Sequence, residues 1–147
     1  MKLKIQALFF LHLIFLSCQE KKEVFVNFSN PDIDYSGRVN FNNKESAEIY
    51  WAGSSIKMNF EGESVSAILK DESGDNYYNV IIDDKLEAII QPDTIQKTYT
   101  LAYNLSKGKH TVELFRRNDW NRGKTQFFGF KINNHAKLLP VSYTHLT

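Results

Sequence analysis

The chain has 147 residues, 18 of them basic and 17 acidic, and is 42% hydrophobic and 14% aromatic. That length suits one domain and hardly two, and the near-neutral balance offers no basic face to nucleic acid or to an anionic surface. A single cysteine, Cys18, excludes an internal disulfide.

In chain order, Lys2 and Lys4 precede Ile5 to Leu16, a mostly apolar run interrupted by Gln6 and His12. The run is too short for a membrane-spanning helix, which takes roughly 20 residues. It fits the apolar region of a secretory signal peptide. Phe15-Leu16-Ser17-Cys18-Gln19 resembles a bacterial lipobox, in which a small residue precedes a cysteine that becomes lipidated and N-terminal. Phe15 and Leu16 depart from its commonest form. The expectation is a lipoprotein signal peptide at 1–17, a lipid on Cys18 as the sole link to a membrane, and a place in the cell envelope. The alternative is an ordinary signal peptide with an incidental cysteine. Removing 1–17 takes Lys2 and Lys4 and no acid, which leaves 16 basic against 17 acidic residues, net −1.

Gln19 to Glu23 reads as a polar tether, and residues 18–33 as tether plus a first edge strand over Val24 to Phe28. Asn30-Pro31-Asp32 is a turn. From 34 to 140 the grammar is short strands and polar turns. Strands are expected at Arg38 to Phe41, Ala47 to Trp51, Ser55 to Phe60 and Val65 to Lys70. Ile56, Met58 and Phe60 alternate with Ser55, Lys57 and Asn59, the two-residue period of a half-buried strand. Trp51 and Gly53-Ser54 make a corner where the chain changes direction. Tyr77 to Ile82 is the most β-prone run, and Asp83-Asp84-Lys85 turns it into Leu86 to Ile90. Tyr99, Leu101, Tyr103 and Leu105 alternate in the next strand. Thr111 to Arg116 and Phe127 to Ile132 complete the set. About nine or ten strands at spacings near ten residues, with no amphipathic helix after the signal, argue an all-β, jelly-roll-like antiparallel β-sandwich.

Few residues are candidates for chemistry. His12 lies in the signal and His145 in the tail. His110 and His135 lack partners at ligand spacing and read as surface histidines, so no metal site and no cofactor is expected. Asp71, Asp75, Asp83 and Asp84 could offer oxygens to calcium, but read as solvated turn acids. Gly53-Ser54-Ser55-Ile56 has a superficial likeness to the Gly-Asp-Ser-Leu block of SGNH hydrolases. Ser54 stands where that block has Asp, and no Asp-x-x-His relay occurs. No catalytic residue is therefore expected in this chain. The candidate ligand-binding residues are Trp51, Arg117, Asp119 and Trp120. A planar ring beside hydrogen-bonding groups is how proteins grip sugars. The structural alternative puts Trp51 in the core and pairs Arg117 with Asp119 to fix the loop.

From about Gly37 to Leu139 the chain resembles the N-terminal β-sandwich domain of carbohydrate esterase family 2, the acetylxylan esterase and deacetylase group. Five stretches carry the resemblance. They are Gly37-Arg38-Val39; Trp51-Ala52-Gly53-Ser54-Ser55-Ile56 with Phe60-Glu61-Gly62; Tyr78-Asn79-Val80-Ile81-Ile82-Asp83-Asp84; Gly108-Lys109-His110-Thr111-Val112-Glu113-Leu114; and Arg116-Arg117-Asn118-Asp119 with Phe128-Gly129-Phe130. Asp84 replaces the Gly of the family's Asp-Gly hairpin, and Asn118-Asp119 replaces Thr-Glu.

The resemblance implies a jelly roll followed by an SGNH-type catalytic domain that removes acetyl groups from plant polysaccharide. Partners would be that downstream domain and acetylated polysaccharide, with no nucleic acid. Residues 141–147 read as a translated sequencing-library adapter, the alternative being a genuine C-terminal tail; on the adapter reading the gene is expected to continue past Pro140. The competing reading is a free-standing carbohydrate-binding or structural surface lipoprotein.

Overall fold

The computed structural model describes residues 23–140. The signal segment, Cys18, most of the tether and the adapter-like tail lie outside the described residues. The alternation over Ser55–Glu61 and Val65–Asp71 dictates the architecture. Ile56, Met58, Phe60, Val65, Ala67 and Leu69 are all buried, and a strand with one buried face needs a second layer to cover it.

Twelve strands among the described residues supply two such layers. They are β1 (Glu23–Asn27), β2 (Ile33–Ser36), β3 (Val39–Asn40), β4 (Ala47–Ile49), β5 (Ser55–Glu61), β6 (Val65–Asp71), β7 (Tyr78–Ile82), β8 (Lys85–Ile90), β9 (Lys97–Ala102), β10 (Lys109–Arg116), β11 (Thr125–Asn133) and β12 (Lys137–Leu139). Sheet I runs β3-β4-β11-β6-β9, with β1 also on β11. Sheet II runs β12-β5-β10-β7-β8, with β2 also on β5. Only the β3–β4 and β7–β8 connections stay within one sheet; the others cross from layer to layer. That winding is jelly-roll-like, as the sequence pattern predicts. The core lies between the layers, with Phe60, Tyr78, Phe127 and Phe130 among its largest fully buried side chains.

Two strands escape the periodicity argument. β2 follows Pro31-Asp32 and is only four residues long, yet Ile33 and Tyr35 pair with Met58 and Ile56 of β5. β12 carries two leucines in succession and no alternation. It exists because β5 has a free margin beyond β2, where Leu138 pairs with Phe60. Expected alternation also fails at Tyr103, which is 72% exposed because β9 ends at Ala102.

Gly129 sits at the register shift where β11 passes β6. Its φ is +148°, and a Cβ there would lie 2.2 Å from the Val26 carbonyl oxygen. Only glycine lets β1 close against the bulge.

The β7–β8 turn is a tight one. Asp83 and Asp84 have φ of 50° and 62°, the left-handed pair of a type I′ hairpin. Asp84 therefore occupies a position that favours glycine. Asp83 is tied down from its side chain. Its Oδ1 accepts the Thr111 N–H at 2.9 Å, and its Oδ2 lies 2.7 Å from His110 Nδ1.

His110 is not the surface histidine that its hairpin position suggests. It is 8% exposed, with Nε2 2.8 Å from the Ser106 carbonyl oxygen. A carbonyl and an ionised carboxylate can only accept, so the ring needs both of its protons. Burial alone would push the His110 pKa down. The Ser106 carbonyl and the Asp83 carboxylate outweigh it, and the net shift is upward. Burial would raise the Asp83 carboxyl, but the His110 and Thr111 hydrogen bonds outweigh that and hold it below its usual range.

These shifts set a pH window for stability. The raised histidine contributes fully below its unfolded value of about 6.5 and ceases to contribute as pH rises through its folded value. The lowered aspartate contributes above its unfolded value of about 3.9 and ceases to contribute as pH falls through its folded value. We expect urea midpoints to be highest at about pH 5 to 6 and to fall toward pH 8, with His110→Gln flattening that fall. A wild-type midpoint as high at pH 8 as at pH 6 would contradict the pairing.

Candidate functional site

Five connections gather at one end of the sandwich, at residues 37–38, 50–54, 72–77, 91–96 and 117–124. Backbone hydrogen bonds tie four of them in: Gly53 N to Arg116 O at 2.9 Å, Arg117 N to Tyr77 O at 2.9 Å, Glu72 N to Lys124 O at 2.9 Å, and Asp71 N to Asp93 O at 2.8 Å.

What fixes this end is a charge on the core face. The alternation of β10 turns Val112, Leu114 and Arg116 inward, and Arg116 is completely buried. Its guanidinium meets oxygens from the end of β4 and from the 72–77 and 117–124 connections. Nη1 donates to the Ile49 carbonyl. Nη2 donates to Asn76 Oδ1 at 2.6 Å, to the Gly123 carbonyl at 2.9 Å and to the Asp119 carbonyl at 3.5 Å. Only Nε has no partner.

Asn76 passes the polarity on. Its Nδ2 donates to Asp71 Oδ2 at 2.8 Å and to the Arg122 carbonyl at 3.0 Å. Asp71 is 1% exposed. Its Oδ1 accepts the Gly74 N–H at 2.8 Å and the Ser73 N–H and hydroxyl at 3.2 Å each, while Oδ2 also accepts the Thr125 hydroxyl. A buried cation and a buried anion are thus joined through one amide, and nearly every donor and acceptor is used. Asp71 is therefore not the solvated turn acid that its Asp-Glu-Ser-Gly-Asp context suggests. The Tyr78 phenol beside the network is fully buried, and burial pushes its pKa up to about 12.

A second charged group braces the outside of the same end. Glu48 is 6% exposed. It accepts from Lys124 Nζ at 2.8 Å, from the Tyr50 hydroxyl and Asn40 Nδ2 at 3.0 Å each, and from Asn43 Nδ2 at 3.3 Å. The Lys124 hydrogen bond holds the Glu48 carboxyl below its usual range despite its burial.

The candidate ligand residues Trp51, Arg117 and Asp119 all fall at this end and on its surface. Trp51 is 40% exposed, so it does not fill the core. The Arg38 guanidinium carbon lies over its ring, 4.9 Å from the centroid. Among the described residues no ion pair joins Arg117 to Asp119; the loop is held instead by Arg116 and by Asn118 Oδ1, which accepts the Tyr77 N–H. Trp120 opens the 3₁₀ turn Trp120–Arg122, and Asp119 is its N-cap residue without a side-chain capping bond. Sequence reasoning missed Arg38 as a neighbour of Trp51. The only signal was the proximity of Gly37 and Ser54, which no local pattern encodes.

The enclosed hydroxyl of Ser54 and the imidazole of His110 lie toward opposite ends of the β5–β10 pair. Ser54 is 1% exposed and its Oγ has no hydrogen-bond partner. His110 has both nitrogens engaged near the opposite end. Among the described residues no group of three or more His, Cys, Asp or Glu could hold a metal ion.

Comparison with known proteins decides the family. A family model described as carbohydrate esterase 2 N-terminal matches residues 35–141. The chain belongs to that family. It is 31% identical over 112 residues to the cellulase/esterase CelE of Acetivibrio thermocellus, a match that covers 76% of this chain and 14% of CelE. It is 29% identical over 91 residues to the acetylxylan esterase / glucomannan deacetylase of Cellvibrio japonicus, covering 62% of this chain and 25% of that protein. The structure of a family two carbohydrate esterase from Cellvibrio japonicus superposes with a TM-score of 0.76 at 24% identity, over 83% of this chain and 36% of the other. The chain thus spans well under half the length of each of these relatives. The carbohydrate esterase 2 N-terminal match includes all five connections of the candidate end.

In this carbohydrate esterase 2 N-terminal domain the buried charges should dominate the stability of that end. Arg116→Met leaves Asp71 as an uncompensated buried charge and several carbonyls unpaired, and we expect it to cost about 3–5 kcal/mol in urea unfolding. Asn76→Ala should cost roughly 1–3 kcal/mol. A loss under about 1 kcal/mol in Arg116→Met would show that the network carries no weight.

Proposed function

We propose that this chain is the accessory N-terminal β-sandwich of a secreted, lipid-anchored carbohydrate esterase that removes acetyl groups from plant polysaccharides. The family match over 35–141, to relatives several times longer than the matched part, carries the reading. Acetyl-ester hydrolysis by a serine enzyme needs a nucleophile, a base within hydrogen-bond reach and oxyanion donors in one place. The enclosed Ser54 and the doubly engaged His110 offer no such grouping. The reacting serine and histidine would belong to an SGNH-type domain following this one in the gene, and the lipid on Cys18 would hold both at the cell envelope.

A second reading concerns the loop end itself. An exposed tryptophan beside an arginine, on connections locked by a buried network, is a rigid surface suited to stacking a sugar ring. On this reading Trp51, with Arg117, Asp119 and Trp120 on the neighbouring loop, meets the polysaccharide and brings it to the catalytic partner.

Two measurements test these readings. The purified chain should not hydrolyse p-nitrophenyl acetate above a heat-treated control, and turnover above that control would contradict the accessory role. Calorimetry with xylan and mannan oligosaccharides should give heat for the wild type and less for Trp51→Ala. No heat with either sugar would reject the second reading and leave the first standing.

A further inference from the structure

We propose that Arg38 and Trp51 together form a receptor for a sugar carboxylate, so that the polysaccharide met at this end carries uronic acid. The inference rests on the second reading above and sharpens it from sugars in general to acidic ones.

The pairing is built by the backbone. Gly37 has φ +85°, and a Cβ there would lie 2.7 Å from Ser54 Oγ and 2.9 Å from Ser54 Cα. The β2–β3 connection therefore presses directly on Ser54, the residue before β5 and three after Trp51. Arg38 follows at once, and its guanidinium lands over the indole at 4.9 Å. Two stretches far apart in the chain thus make one surface.

Arg38 is a cation held in place but not used. Three lysines near this end and on the adjoining sheet face have carboxylate partners, Lys124 with Glu48 at 2.8 Å, Lys57 with Glu113 at 3.7 Å, and Lys97 with Asp93; Arg38, like Arg117 and Arg122, has none among the described residues, but it alone lies over an aromatic ring there. Arg38 is exposed, and no hydrogen bond or ion pair joins it to any described residue. Contact with an aromatic face restrains a guanidinium through its π surface and leaves the in-plane N–H fork available. That fork matches a carboxylate in two parallel hydrogen bonds, shorter and stronger than those a neutral hydroxyl can make. The 40% of Trp51 that remains exposed offers apolar surface to the pyranose that carries the carboxylate. A neutral sugar would use the ring and leave the fork without its charge partner.

The test is calorimetry of the purified chain with glucuronoxylan and with the same polymer after its carboxyl groups are reduced to alcohols, at low and high salt. We expect the native polymer to bind about tenfold more tightly, a difference of about 1.4 kcal/mol, and the gap to narrow at high salt. Arg38→Gln should close the gap in affinity between the native and the reduced polymer. Arg38→Lys, which keeps the charge without the fork, should recover only part of the gap. Arg38 is at the surface, so thermal melts of both variants should match the wild type. Equal binding of the two polymers would overturn the carboxylate assignment while sugar contact stands. No binding of either would overturn both. An undiminished gap in Arg38→Gln would remove Arg38 from the site.

Discussion

A guanidinium with no access to water has to be satisfied by the protein, and that requirement shapes the end of this domain where five connections gather. Strand alternation sends Arg116 into the core at a position where an apolar side chain would ordinarily sit. Its neighbours then have no freedom. The Ile49, Asp119 and Gly123 carbonyls must point at it, Asn76 must bridge it to Asp71, and Asp71 must gather the Ser73 and Gly74 amides. Three connections between sheets are thereby set in one arrangement. Replacing such a network with well-packed apolar groups can raise stability in other proteins, so its value here lies in geometry: loops that would otherwise be mobile become a platform.

The platform is suited to recognition by a surface whose shape is set in advance. Preorganised surfaces bind with less loss of conformational entropy than loops that must order on contact. Trp51 follows the Ile49 carbonyl that Arg116 holds, with Arg38 over its ring, and Arg117 and Asp119 lie in the loop whose Asp119 and Gly123 carbonyls Arg116 also holds. Their side chains are exposed while their backbones are fixed. The opposite end is stabilised by different means, the type I′ turn at Asp83-Asp84 and the buried His110 that clamps it. The two ends are thus held by charged pairs of different kinds, one bridged by an amide and insulated from solvent, the other direct and sensitive to proton concentration.

Much of the fold was legible because period-two patterning is a local signal. Ile56, Met58 and Phe60 face the core as their spacing requires, and the Trp51–Ser54 corner does carry the chain from sheet I to sheet II. β2 and β12 were illegible because they are made by the free margin of β5 rather than by their own residues. The site was legible only in part. Composition pointed to Trp51, Arg117 and Asp119, and the structure brings their connections to one end. Arg116, Asn76 and Asp71 gave no warning, since a charged residue at an inward position reads as a surface residue unless its distant partners, 40 residues away for Asn76 and 67 for Ile49, are known. His110 misled for the same reason: its partner Asp83 lies 27 residues back, on another hairpin.

If the buried charges lock this end, its backbone amides should be as protected as those of the central strands. Native-state hydrogen exchange on the amides of Gly53, Asp71, Glu72 and Arg117 measures that directly. The account predicts exchange as slow as in the middle of β5 and β10, governed by global unfolding. Exchange at the rate of an ordinary surface loop, with β5 and β10 still protected, would show that the connections move independently of Arg116 and would contradict it.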